Sequence, residues 1–186
     1  VFPLTPDVFT IKGVRIDAER LLGDPELARR YAGGSAIVYR LCPSDYHRFH
    51  FPVAGIPGPS RRIVGRYDSV NPYALEKGIP VFLRNVREVS VLDSEAFGRV
   101  AILEVGAIGV GGIVQTFAPG RPVERGAEKG YFKFGGSTVV QLVEPGRVEF
   151  DADVVEASAK GVETLVRFGM RLGLAQDALS QGEESV

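Results

Sequence analysis

The sequence predicts an α+β fold, a single domain with a mainly antiparallel β core and flanking helices. Short runs of β-forming residues follow one another with little helical sequence between them. Glycine (23) and proline (12) are scattered as turn punctuation between those runs. Helical patterns are confined to two short stretches near the start and one longer stretch near the end. A chain of 186 residues, 45% hydrophobic, suffices for one core of this kind.

The first strand reads as "FTIKG" (9–13). Two short helices follow. Asp17 caps "AERLLG", which Gly23 stops; Asp24 and Pro25 open "ELARRYAGG", which ends at Gly33. Further strands are "AIVYRL" (36–41), "RFHFPV" (48–53), "RIVGRY" (62–67), "VSVLD" (89–93), "VAILEV" (100–105), "GIVQTF" (112–117) and "TVVQLV" (138–143). "RVEF" (147–150) follows the turn "EPG". A long helix is expected from Val154 to Leu172. Asp151, Asp153 and Glu156 lie near its start and Arg167 and Arg171 near its end, as the macrodipole favours. Val155, Val162, Leu165, Val166 and Leu172 give it an apolar side. The tail from Gln176 is expected to fray. The stretch 118–136 reads as one long loop, and long loops in compact domains are often functional.

Composition narrows the function. With 22 basic and 23 acidic residues interspersed, nothing marks a nucleic-acid footprint. A single cysteine, Cys42, excludes an internal disulfide and fits a reducing compartment. No apolar run reaches the roughly 20 residues that span a bilayer. The opening "VFPLTPDVF" lacks an initiator Met and reads as the middle of a strand-loop region, so a segment is expected upstream.

Three stretches invite chemistry. His47 and His50, the only histidines, stand in "SDYHRFHFP". By themselves they are weak evidence for acid–base work, and with Cys42 the only thiol they make a poor zinc site. "LEVGAIGVGGIV" (103–114) has the wrong spacing for a Walker loop and is followed by a strand, not a helix; a tight hairpin is the expected structure. In "KFGGSTVV" (133–140), Gly135 and Gly136 permit a sharp bend before Ser137. A bent peptide there can offer the Gly136 carbonyl to the Ser137 hydroxyl for an N-to-O acyl shift. Spacing alone favours a plain Gly-Gly turn into a strand.

Taken together in this order, "SDYHRFHFPVAG" (44–55), "YDSVNPYAL" (67–75), "FLRNVREVSVLDSEAFGRVAILEVGAIGVGGI" (82–113) and "KGYFKFGGSTVVQLVEPGRV" (129–148) resemble the phosphatidylserine decarboxylase family. The resemblance runs from about Phe9 to Val148. It implies self-cleavage between Gly136 and Ser137, giving a large chain 1–136 and a small chain 137–186, with Ser137 becoming a pyruvoyl group that serves as the cofactor. It implies His50 as the base for cleavage and His47 as the acid that reprotonates the α-carbon, and no metal. The family pattern has leucine before Gly-Ser-Thr where this chain has Gly135, which keeps the bend free. The aspartate the family sets beside the histidine and serine matches no residue here; Asp7 and Asp45 lack its motif.

The resemblance further implies phosphatidylserine as substrate, with a small soluble amino acid as the alternative. It implies peripheral contact with the inner membrane or a cytoplasmic location, and a homodimer is the assembly to test. Phe49, Phe51, Tyr131, Phe132 and Phe134 either line a pocket or belong to the core, and "YFKF" is the expected apolar surface for acyl chains. A non-catalytic β-rich binding domain that kept the motifs is the competing reading.

Overall fold

A computed structural model of the chain describes residues 1–109, 112–133 and 137–176. In chain order the elements are β1 (Phe2–Pro3), β2 (Val8–Ile11), β3 (Val14–Asp17), α1 (Ala18–Leu22), α2 (Pro25–Arg30), β4 (Ser35–Leu41), β5 (Arg48–His50), β6 (Ile56–Pro57) and β7 (Arg61–Ile63). They continue with α3 (Pro72–Glu76), α4 (Val81–Arg84), β8 (Arg87–Ser94), β9 (Gly98–Val105), β10 (Ile113–Gln115), β11 (Glu128–Phe132), β12 (Ser137–Val143), β13 (Val148–Phe150), α5 (Ala152–Ala159) and β14 (Gly173–Ala175). The fold is α+β with antiparallel sheets, as the strand-after-strand sequence implies.

A seven-stranded sheet runs in the order β1-β4-β12-β9-β8-β6, with β7 also pairing β8. A three-stranded sheet runs β10-β11-β5. β12 and β9 occupy the middle of the large sheet. β12 is buried along its whole length and β9 from Val100 onward, which is why "VAILEV" and "TVVQLV" read as near-continuous apolar runs. Paired residues on neighbouring strands share a face. One face of the large sheet carries Glu88, Glu104, Val139 and Ser137 toward the small sheet; the other carries Arg87, Val105 and Thr138.

The early helices start where their caps dictate. The Asp17 carboxylate accepts from the Arg20 N–H at 2.8 Å and that of Asp24 from the Leu27 N–H at 2.9 Å. Gly23, at φ 61°, ends α1 in the left-handed region. The ends of α1 and α4 meet one side chain. Arg87, 3% exposed, donates to the carbonyls of Arg20 (2.6 Å), Leu21 (2.7 Å), Leu83 (3.2 Å) and Asn85 (3.0 Å). Burial, then the like charges of Arg61 and Arg20, push its guanidinium down to about 10, so it stays cationic at neutral pH and complements two helix C-termini. Arg87→Met is expected to cost on the order of 2–4 kcal/mol, read as a drop in the urea midpoint, because it strands those carbonyls. Arg87→Lys should recover only part, since one ammonium cannot fork to both helix ends. An unchanged midpoint for Arg87→Met would rule out this clamp.

Three expectations fail, each for a local reason. The helix expected from Val154 to Leu172 stops at Ala159. Gly161 turns left-handed at φ 71°, and β14 pairs with β13 in place of a continuing helix. Val162 and Leu165, assigned to its apolar side, are 59% and 83% exposed. The stretch 118–136 is not one loop but contains β11. Gly130 makes that strand feasible, because a Cβ there would lie 2.1 Å from the Val114 carbonyl oxygen and 2.7 Å from the Phe49 ring. The glycine run after β9 is not a hairpin: β9 belongs to the large sheet and β10 to the small one, so the run carries the chain between sheets. Val110 and Gly111 of that run, Phe134, Gly135 and Gly136, and the tail 177–186 lie outside the described residues. Among the described residues no helix is long and apolar enough to cross a membrane.

Candidate functional site

Ser137 opens β12 opposite Leu41 of β4, at the end of the large sheet where β9 also finishes at Val105. It is 0% exposed, and its Oγ has no hydrogen-bond partner among the described residues. Thr138, on the opposite face and 1% exposed, likewise has an Oγ1 with no partner among the described residues. A buried unpaired hydroxyl costs about 1–3 kcal/mol. Such groups in the most buried strand mark a place where packing alone does not explain the sequence.

Both histidines stand at the start of the small sheet. His47 immediately precedes β5 and His50 closes it. The His47 carbonyl accepts from the Phe132 N–H at 2.9 Å. The stretches 41–47 and 132–137 therefore meet at both ends: Leu41 pairs with Ser137, and His47 bonds Phe132. That double tie brings the His-x-x-His segment and the serine strand to one corner of the molecule. No hydrogen bond joins either imidazole to Ser137 among the described residues.

Each imidazole has its tautomer set by a main-chain carbonyl, which can only accept. His47 Nδ1 donates to the Asp45 carbonyl at 2.6 Å, leaving Nε2 with a lone pair; Nε2 is buried and unpartnered among the described residues. His50 Nδ1 donates to the Gly126 carbonyl at 2.9 Å, and its Nε2 accepts from the Tyr46 hydroxyl at 3.1 Å. The His50 ring packs against Tyr46 (centroids 5.8 Å apart) and Phe168 (4.5 Å). Tyr46, Gly126 and Phe168 are partners that sequence reasoning missed, and the latter two lie 76 and 118 positions from His50.

A second group missed from sequence lies between the sheets behind this corner. Lys129 and Glu104, both 0% exposed, form an ion pair of 2.8 Å, with Gln115 bonded to both. Burial pushes the Glu104 carboxyl above the ordinary carboxylate range, with the Lys129 ammonium pulling the other way. A charge inside "VAILEV" was the available signal.

The aromatic residues divide differently from expectation. Phe49, Phe51 and Phe132 are core, at 5%, 1% and 4% exposure. Tyr131 is half-buried beneath the Arg48 guanidinium. Within "YFKF", Phe132 is buried and Tyr131 half-buried, so these two offer little exposed apolar surface; Phe134 lies outside the described residues. Among the described residues, Tyr46 and Phe168 are exposed apolar side chains at this corner and flank His50.

Residues 4–174 match the family model described as phosphatidylserine decarboxylase. A phosphatidylserine decarboxylase proenzyme of Chlamydia trachomatis serovar D is 53% identical over 175 residues, covering 93% of this chain and 58% of that protein. Proteins of the same name from Desulfitobacterium hafniense (strain DSM 10664 / DCB-2) and Ruminiclostridium cellulolyticum are 48% and 46% identical, over 88% and 91% of this chain and 55% and 56% of their own lengths. The chain thus spans a little over half the length of these relatives.

Proposed function

The chain belongs to the phosphatidylserine decarboxylase family, and from that premise we propose that it is the part of a phosphatidylserine decarboxylase that cuts itself between Gly136 and Ser137 and carries the reacting groups. The observation that carries the reading is the pair of buried atoms at one corner, Ser137 Oγ and His47 Nε2, that have no partner among the described residues, with His50 three residues on from His47. The relatives' shared name, proenzyme, agrees with a chain that must be cut before it acts.

In self-cleavage the hydroxyl of Ser137 loses its proton to an imidazole, assigned to His50 Nε2, and attacks the Gly136 carbonyl carbon. The C–O bond forms as the C–N bond breaks, turning the amide into an ester. Loss of the Ser137 α-proton then expels the Gly136 carboxylate, and water releases the nitrogen as ammonia, leaving a ketone at the new chain start. Tyr46 holds the His50 lone pair until the nucleophile displaces it, and the Gly126 carbonyl keeps the proton on Nδ1.

The residues present fit a pyruvoyl group, because Ser137 is sealed from water and its oxygen serves no other bond among the described residues. Such a group supplies a carbonyl that takes up the electrons left when carbon dioxide departs. We assign the proton that returns to the substrate carbon to His47: with Nδ1 committed to the Asp45 carbonyl, Nε2 takes up a proton and then passes it on. Exposed Tyr46 and Phe168 offer apolar contact for a lipid at the rim. This favours phosphatidylserine over a free amino acid.

The test uses the full-length protein. Carbon dioxide release should be faster from phosphatidylserine in vesicles than from free serine or free tryptophan at equal concentration. Borohydride with substrate should label the chain that begins at residue 137, and added pyridoxal phosphate should change nothing. Faster turnover of a free amino acid would move the assignment to a soluble substrate. Dependence on pyridoxal phosphate would reject the pyruvoyl reading, and an uncut, inactive protein would favour a binding domain.

A further inference from the structure

We propose that the quartet Glu88, Glu104, Gln115 and Lys129, built around the fully buried Glu104–Lys129 pair, is a positioning network for self-cleavage, setting how the sheet that carries His50 lies against the sheet that carries Ser137. The inference rests on the reading of Gly136–Ser137 as the bond that is cut.

The quartet is a seam of hydrogen bonds between the two sheets. Glu88 on β8 and Glu104 on β9 are opposite each other in the large sheet. Gln115 on β10 and Lys129 on β11 belong to the small one. Lys129 Nζ donates to Glu104 Oε1 at 2.8 Å and to Gln115 Oε1 at 2.8 Å. Gln115 Nε2 donates to Glu104 Oε2 at 2.8 Å and to Glu88 Oε2 at 2.9 Å. Three of these four bonds cross from one sheet to the other.

Its two ends lie next to the reacting groups. Glu104 pairs with Val139, two residues after Ser137, so its side chain emerges on the same face of the large sheet as the Ser137 hydroxyl. At the other end, Glu128 is opposite His50 and Gly130 is opposite Phe49, so Lys129 is the extra residue of a β-bulge immediately beside His50. A bulge re-aims a side chain, and this one sends an ammonium into the interior between the rings of Phe49 (5.4 Å) and Phe117 (5.1 Å).

Stability does not account for such a pair. Two fully buried charges lose their hydration, and apolar residues of similar volume usually serve the fold as well or better. Directional bonds, by contrast, have one satisfactory register, whereas apolar contacts tolerate sliding. Self-cleavage needs a hydroxyl and a base aligned within a fraction of an ångström, and a misplacement of about 1 Å costs on the order of a hundredfold in rate. The nucleophile and the base come from different sheets, so the seam between the sheets is where that alignment is set.

The experiment follows self-cleavage of newly made full-length protein by mass under denaturing conditions. Melting temperature is read separately in the uncleavable Ser137→Ala background. The double variant Glu104→Leu with Lys129→Met removes both charges together. It is expected to melt within a few degrees of its parent yet to cleave at least tenfold more slowly. Gln115→Met, a milder change at a partly exposed position, is expected to slow cleavage severalfold with melting unchanged. Parental cleavage rates in both variants would overturn the proposal. So would slowing that appears only where melting falls by more than about ten degrees, because that is the signature of a purely structural pair. If the double variant does not fold, Gln115→Met alone decides: an unchanged rate overturns the network. A parent that stays one chain overturns the cleavage reading itself, and the network with it.

Discussion

Ser137→Ala is expected to leave the full-length protein as a single chain and to abolish decarboxylation entirely. In the proposed reaction the hydroxyl is both the nucleophile for cleavage and the source of the ketone, so no partial route survives its removal. The structure adds a control. Ser137 Oγ is buried with no partner among the described residues, so deleting it breaks no bond there and removes a desolvated hydroxyl. Stability should therefore stay level or rise slightly, by up to about 1 kcal/mol. The variant would be folded and inert. Gel or mass analysis should show one species where the parent shows two. Parental amounts of two chains in this variant would eliminate Ser137 as the nucleophile, and a collapsed melting temperature would mean that the loss reflects misfolding.

The two histidines should separate by step. His50→Ala is expected to slow cleavage about a hundredfold to ten-thousandfold, the usual contribution of a positioned general base. His47→Ala should still yield two chains, which then release carbon dioxide more slowly by a similar factor. The division follows the assignment of His50 to the acyl shift and His47 to protonation. Their surroundings make it a demanding test. His47 Nε2 is buried and has no partner among the described residues, whereas His50 Nε2 already accepts from Tyr46. If His47→Ala blocks cleavage while His50→Ala permits it, the roles are exchanged, and the lone pair on His47 Nε2 explains why. Quantifying both chains and carbon dioxide release per cut chain keeps the steps apart.

Much of the architecture was legible from residue patterns. The central strands β9 and β12 are apolar on both faces and flanked by glycine or proline, so "VAILEV" and "TVVQLV" located them within two residues. The Asp17 and Asp24 caps located α1 and α2. Elements whose existence depends on a distant partner were not legible. β11 contains Lys129 and Gly130 and reads as loop; it is a strand because Gly130 admits the Val114 carbonyl and the Phe49 ring. The apolar spacing after Val154 resembles a helix face, but among the described residues no surface covers Val162 or Leu165, so the pattern has nothing there to pack against.

The candidate site divides along the same line. The sequence by itself determined which groups are available: the Gly-Ser-Thr junction at 136–138, the His-x-x-His pair, and the absence of any second thiol. Those are matters of residue identity at short spacing, and a family resemblance preserves them. Only the tertiary structure decided how they are dressed. It commits the Nδ1 atoms of His47 and His50 to the carbonyls of Asp45 and Gly126, leaves Ser137 Oγ without a bond among the described residues, and pairs Glu104 with Lys129 across two sheets. The physical reason is that a proton's position and a buried charge's partner depend on atoms within about 3 Å. In this fold those atoms come from segments separated by as many as 76 positions in the chain.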